Sequence, residues 1–188
     1  MRLRTGPDCD LSVILAVGDD EDRVGHAIRK IAGHLRALER SFELLAVDEQ
    51  SADNSLALLA LLRPEIPELQ VLTGADPGTG FACGVAAARG RALLLVDPRR
   101  EVSLAPVVWA LGRIDAGRDA VVLPGRYVVA RRLPAWSALA QARGRGDDFE
   151  RAFARKARAA RLNVETPRLA RESRWRALAA RLGWAGTS

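Results

Sequence analysis

Four times between residues 11 and 97 a short, mostly apolar run stops at polar or glycine-rich residues: Leu11–Val17, Leu44–Val47, Leu69–Thr73 and Leu93–Val96. Runs of this length bounded by turn signals read as buried strands. Helical patterns follow them. Val24, Ile28, Ile31, Leu35 and Leu38 recur with a period of about 3.6 residues after the first run. Leu56, Leu59 and Leu62 do so after the second, and Val107, Leu111 and Ile114 after the fourth. Strands alternating with helices dictate an α/β fold with a mainly parallel central sheet joined by right-handed crossovers. A further run, Ala120–Leu123, predicts a fifth strand.

In such a sheet ligands bind in the crevice beyond the carboxyl ends of the strands. Asp48, Glu49, Ser51 and Asp53 follow the second run, so they are candidate ligand contacts. Ser51 or Asp53 can also cap the following helix, which Pro64 closes. Asp19 and Asp20 occupy the same position after the first run, and either can cap the helix there. Asp97 and Arg99 follow the fourth run. Gly78-Thr79-Gly80 opens an Ala-rich segment but lacks the third glycine of a dinucleotide fingerprint and the Lys-Ser/Thr of a P-loop.

The chain has 188 residues and 48% hydrophobic content, enough for one domain with a core of useful size. Residues 1–10 read as a disordered lead, 11–167 as the domain, and 168–188 as a basic amphipathic helix. No apolar run approaches the roughly 20 residues that span a bilayer, and a signal-peptide pattern is absent, so the expectation is a cytoplasmic protein. Cys9 and Cys83 lack metal-ligand spacing and read as reduced thiols.

Charge is unevenly placed. Residues 126–188 hold 15 Arg plus Lys against 5 Asp plus Glu, whereas residues 1–125 hold 14 against 18. A basic tail suits phosphorylated ligands, anionic membranes or nucleic acid, and it is also what a chain generally rich in Ala, Arg and Gly produces. Nucleic acid is the weakest of these, because aromatic content is 5% and no recognised nucleic-acid motif is present. Trp175, Leu178 and Leu182 with flanking arginines suit packing on the domain or a peripheral position on a membrane.

Val47-Asp48-Glu49-Gln50-Ser51-Ala52-Asp53-Asn54-Ser55 resembles the Val-Asp-Asp-Gly-Ser-Thr-Asp-Gly-Thr signature of family 2 glycosyltransferases of the dolichol-phosphate-mannose synthase type. Ser12 to Glu21 resembles that family's opening Ser-Val-Val-Ile-Pro-Val-Tyr-Asn-Glu-Glu, with Gly18 in place of the Tyr that helps wall the base pocket. Gly80 to Gly90 is similar to a further family segment, with Gly90 at an expected helix C-cap. Gly125-Arg126-Tyr127 resembles the Gly-Ser-Arg-Tyr after a later strand.

The resemblance implies a GT-A fold, a Rossmann-like nucleotide-diphospho-sugar transferase sandwich with C-terminal helices. It implies an inverting transfer of sugar from a nucleotide-diphosphate donor to an acceptor hydroxyl, the acceptor being lipid-linked in many relatives. Asp19, Asp48 and Glu49 would then contact the nucleoside, and Asp97 and Arg99 the diphosphate. Gly146-Asp147-Asp148-Phe149-Glu150 is similar to the family's Gly-Glu-Asp-x-Asp, which puts the general base at Asp148. N-terminal helix acids favoured by the macrodipole are the alternative reading of Asp147 and Asp148.

One departure bears on the metal. The family's Asp-x-Asp holds Mg²⁺ or Mn²⁺, and Asp97 matches its first carboxylate while Arg99 replaces the second. A guanidinium repels a divalent cation yet pairs bidentately with phosphate. Two outcomes follow: a metal-independent transferase, or a catalytically degenerate relative that binds a nucleotide, a partner or a membrane. Between Tyr127 and Asp147 the chain is much shorter than the family's acceptor region, so a small acceptor site is expected.

Overall fold

A computed structural model of the chain describes residues 8–100 and 103–167. Its elements run β1 (Cys9–Val17), α1 (Glu21–Arg36), β2 (Phe42–Asp48), α2 (Ser55–Leu62), β3 (Leu69–Leu72), α3 (Gly80–Ala87), β4 (Gly90–Val96), α4 (Leu104–Asp115), β5 (Ala120–Leu123), β6 (Tyr127–Arg131), α5 (Arg132–Gln141), α6 (Gly146–Ala159) and β7 (Val164–Glu165). The seven strands form one sheet in the order β3-β2-β1-β4-β6-β5-β7. β3, β2, β1 and β4 are parallel, and β6 runs antiparallel to both β4 and β5.

Strand residues alternate between two apolar layers, as the period of two requires. Leu11, Val13, Leu15 and Val17 of β1 face a core shared with Val24, Ile28 and Ile31 of α1, Leu59 and Leu62 of α2, and Val107 and Leu111 of α4. Ile14 and Ala16 face the opposite layer, with Phe81 and Val85 of α3, Leu139 of α5, and Phe149 and Phe153 of α6. A sheet covered on both faces is the reason its strands read as continuous apolar runs. Each fully buried Leu or Phe contributes about 1.5–3 kcal/mol.

Several local expectations are corrected. Gly90 is the first residue of β4 and no helix cap, because α3 already ends at Ala87. Its amide donates to Ser12 Oγ at 2.7 Å, and Ser12 Oγ lies 2.6 Å from Glu43 Oε1. β1 starts at Cys9, where pairing with Gly90 extends the strand into the expected disordered lead. On α2, Leu59 and Leu62 are buried but Leu56 is exposed, and Asn54 rather than Ser51 or Asp53 takes the N-cap position. Asp53 still supports this end by accepting the Ser55 amide at 2.9 Å. Beyond β5, the chain between Tyr127 and Asp147 forms β6 and α5, which the apolar runs alone did not delimit. The basic amphipathic segment 168–188 lies outside the described residues.

A Cβ at Gly90 would come within 2.4 Å of the Ser12 amide nitrogen, a backbone atom of the central strand that cannot move aside. At Gly33, on α1, a Cβ would meet nothing within 4 Å. Gly90→Ala is therefore expected to destabilise the protein by about 2–3 kcal/mol, as overpacking does. Gly33→Ala should stabilise it by about 0.5–1 kcal/mol through helix propensity. Urea unfolding of both variants checks the opposite signs.

Candidate functional site

Parallel pairing aligns Val17 with Asp48 and Leu15 with Val96, so β1, β2 and β4 end at the same level. Gly18-Asp19-Asp20, Asp48-Glu49 and Asp97-Pro98-Arg99 thus emerge side by side at the carboxyl edge, where β4 crosses to the far side of β1. Asp20, Asp48, Glu49 and Asp97 are each no more than 6% exposed. Buried carboxylates cost several kcal/mol each unless charges and donors compensate them.

The compensation comes from Arg145, in the loop between α5 and α6. Its Nη2 donates to Asp20 Oδ2 at 2.5 Å and to the Ala16 carbonyl at 2.8 Å, and lies 3.6 Å from Asp97 Oδ1. Its Nε is 3.9 Å from Glu49 Oε2, too far for a hydrogen bond, and is a buried polar atom without a partner. The guanidinium sits against Gly18: a Cβ there would be 2.6 Å from Arg145 Nη1. Gly18 therefore leaves the space that the Arg145 guanidinium fills.

Arg99 adds a second guanidinium. Its Nε and Nη2 donate to the two Asp97 oxygens at 3.0 and 2.8 Å, and its amide donates to Oδ1 at 3.1 Å. Burial pushes the Asp97 carboxyl up, but the Arg99 hydrogen bonds and the nearby charge of Arg145 outweigh it and hold the group below the usual carboxylate range. With both oxygens taken by a guanidinium and a second one close by, the site does not fit a divalent cation. Among the described residues no group of three His, Cys, Asp or Glu side chains is arranged to hold a metal ion.

The residues anticipated for the nucleoside occupy different environments. Glu49 Oε1 accepts the Gly80 amide at 2.6 Å, tying β2 to the start of α3. Asp48 Oδ1 accepts from the Ser51 hydroxyl, which also lies 2.7 Å from the Gly18 carbonyl. Asp19 is exposed at the rim, and its Oδ1 accepts the Ala52 amide at 2.7 Å.

The N-terminal part of α6 presents three acids in three directions: Asp147 and Asp148 in its first turn and Glu150 just beyond. Asp147 Oδ1 accepts from Arg100 at 2.6 Å. Asp148 is 79% exposed and pairs with Arg151 at 2.8 Å. Glu150 faces inward, where it lines a small cavity with Asp97, Arg100, Tyr127 and Phe149. Burial pushes its carboxyl above the ordinary value, although the Gly125 amide donates to it and Arg100 is near. That cavity has about 10 Å³ of free space, at most what one water requires.

Sequence reasoning placed Asp48, Glu49, Asp97 and Arg99 at this edge and missed Arg145 and the role of Asp20. Asp20 read as a helix cap. Arg145 had one local signal, its position between Gly144 and Gly146, whose φ angles of +97° and +52° let the loop turn inward.

No protein-family model matches the chain, and no curated protein sequence matches it. Solved structures do. A Staphylococcus aureus TarS 1–349 structure aligns with a TM-score of 0.63 and 17% identity over 84% of this chain and 58% of that one. Glucosyl-3-phosphoglycerate synthase from Mycobacterium tuberculosis, in complex with Mg²⁺ and UDP, gives 0.64 and 16% over 85% and 69%. Mannosyltransferase PcManGT from Pyrobaculum calidifontis, in complex with GDP-Man and Mn²⁺, gives 0.63 and 12% over 97% and 68%. The chain spans little more than half the length of the TarS structure. Its seven-stranded, mostly parallel sheet with helices on both faces is the GT-A fold of these nucleotide-diphospho-sugar glycosyltransferases.

Proposed function

We propose that the protein is a glycosyltransferase that takes a sugar from a nucleoside-diphosphate donor and uses Arg99 and Arg145 in place of a divalent metal. The observation that carries this reading is the pair of guanidinium groups beside Asp97, Asp20 and Glu49 at the carboxyl edge of β1, β2 and β4. Guanidinium groups bind phosphate oxygens bidentately and stay charged at all physiological pH values, so they can stabilise a departing diphosphate. Asp48, Glu49 and Asp19 are assigned to the nucleoside, and Asp97 to orienting Arg99.

The cavity beside Asp97 is far below the several hundred Å³ of a ligand pocket, so a donor would occupy the open edge beside the arginines rather than this cavity. The reaction is a displacement with inversion. An acceptor hydroxyl oxygen attacks the anomeric carbon, the bond from that carbon to the diphosphate oxygen breaks, and a carboxylate near the N-terminus of α6 takes the hydroxyl proton. The resemblance assigns that role to Asp148. Position favours Glu150, which lines the cavity with Asp97 and whose raised pKa makes it a stronger base than an ordinary carboxylate.

A second reading, a relative that binds nucleotide without turnover, is favoured by the ion pairs that already engage Asp20 and Asp97 and by the solvent-facing Asp148–Arg151 pair. No helix of the described residues is long and apolar enough to cross a membrane.

Titration of UDP, GDP, dTDP and CDP, each with Mn²⁺ or with EDTA, should raise the melting midpoint for one base and by the same amount in both conditions. Absence of a shift with every nucleotide contradicts both readings.

Turnover then separates the two readings. Glu150→Gln is expected to lower the transfer rate by about 10²–10⁴ with nucleotide binding retained, whereas Asp148→Asn should leave it within a few fold. The reverse pattern would return the base to Asp148. Donor turnover by neither variant nor wild type, with binding intact, identifies the non-catalytic relative.

A further inference from the structure

A second concave surface lies on the other side of the 97–100 turn from Arg145. Arg23, His26 and Lys30 stand at i, i+3 and i+7 of α1, so all three project from one helix face. Pro98, Arg99 and Arg100 form the opposite wall, Ala27 lies on the floor, and the groove holds about 260 Å³ of free space. The small side chain of Ala27 leaves the depression open, because a larger residue there would fill it.

The electrostatics of this groove are one-sided. Among the described residues lining it, Asp22 is the one carboxylate, facing Arg23, Lys30, Arg99 and Arg100 with His26. Arg99 and Arg100 are engaged with Asp97 and Asp147 on their inner side. Arg23 and Lys30, by contrast, make no ion pair with any described residue, although Arg29 and Arg36 of the same helix are each paired with a glutamate. An unpaired cationic wall around a concavity draws in anions and favours charge-assisted hydrogen bonds to phosphate oxygens. Its volume suits a small phosphomonoester.

We infer that the groove between α1 and the 98–100 turn is a binding site for a phosphomonoester group, held by Arg23 and Lys30 with His26 beside them. The inference does not depend on sugar transfer, since none of these three residues belongs to the proposed donor site. The phosphomonoester can come from a free small molecule or from a lipid headgroup, and the two sources are separable by experiment.

Calorimetric titration of the full chain with glycerol 3-phosphate, against glycerol and at constant ionic strength, measures the free form. Co-sedimentation with vesicles containing phosphatidic acid, against phosphatidylcholine vesicles, measures the lipid form. Binding in either arm is expected, weakened about tenfold or more in an Arg23→Ala/Lys30→Ala variant, because each lost charge-assisted bond is costly. Far-ultraviolet circular dichroism and the nucleotide-induced thermal shift should stay as in wild type. Lack of binding in both arms overturns the inference, and so does binding that the double variant leaves unchanged. If the variant proves unfolded, Arg23→Gln and Lys30→Gln singly provide the same comparison.

Discussion

A single guanidinium holds the centre of this structure. Arg145 reaches from the α5–α6 loop to the end of β1 and lies against Asp20, with Asp97 and Glu49 close by. Without it, several buried carboxylates would face one another in a partly dry crevice, an arrangement that charge repulsion and desolvation both oppose. The sheet forces that arrangement, because parallel strands in register deliver their terminal acids to one edge. The loop that carries Arg145 is also fastened by the Gly144 amide, which donates to the Gly78 carbonyl at 2.9 Å. Core packing sets the sheet, but this ion cluster sets the shape of its functional edge.

Three residues at this edge, Gly18, Arg145 and Arg99, make physical sense together. Gly18 leaves room for the Arg145 guanidinium, and Arg99 takes both oxygens of Asp97. A side chain at 18 would make the tip of Arg145 shift, and a carboxylate at 99 would add a negative charge beside Asp97. Their mutual dependence is what a site converted from metal to guanidinium chemistry would require. It is equally what a nucleotide-binding remnant would retain, and turnover measurements distinguish the two.

Much of the fold was legible in the sequence because its strands are buried on both faces. Leu11–Val17, Leu44–Val47 and Leu93–Val96 cannot be mistaken for solvent-exposed strands, and α1 and α4 carry a clear apolar face. β6 and α5 were harder to see. Tyr127–Arg131 is short, and Arg132 is buried inside the protein against the Ala88 carbonyl, so polarity there is no guide to exposure. Gly90 misled because a glycine after an Ala-rich helix ordinarily ends it, whereas here the backbone of β1 comes too close for a side chain.

The site was legible only where its residues follow a strand. Asp48, Glu49, Asp97 and Arg99 do so, and strand ends can be read from an apolar run. Arg145 comes from 125 residues after Asp20, and no local pattern announces a contact of that separation. In the other direction, Asp148 lies on a motif-like turn, yet helix geometry points it outward and Glu150 inward.

The claim that guanidinium groups replace a metal is tested most directly by Arg99→Asp, which restores two carboxylates around position 98. Nucleoside-diphosphate binding to wild type and variant, measured by calorimetry in EDTA and in Mn²⁺, gives the answer. The account predicts wild-type affinity independent of Mn²⁺, and variant affinity that collapses in EDTA and recovers with Mn²⁺. A wild type that binds only with Mn²⁺, or a variant that binds as tightly as wild type in EDTA, would contradict it.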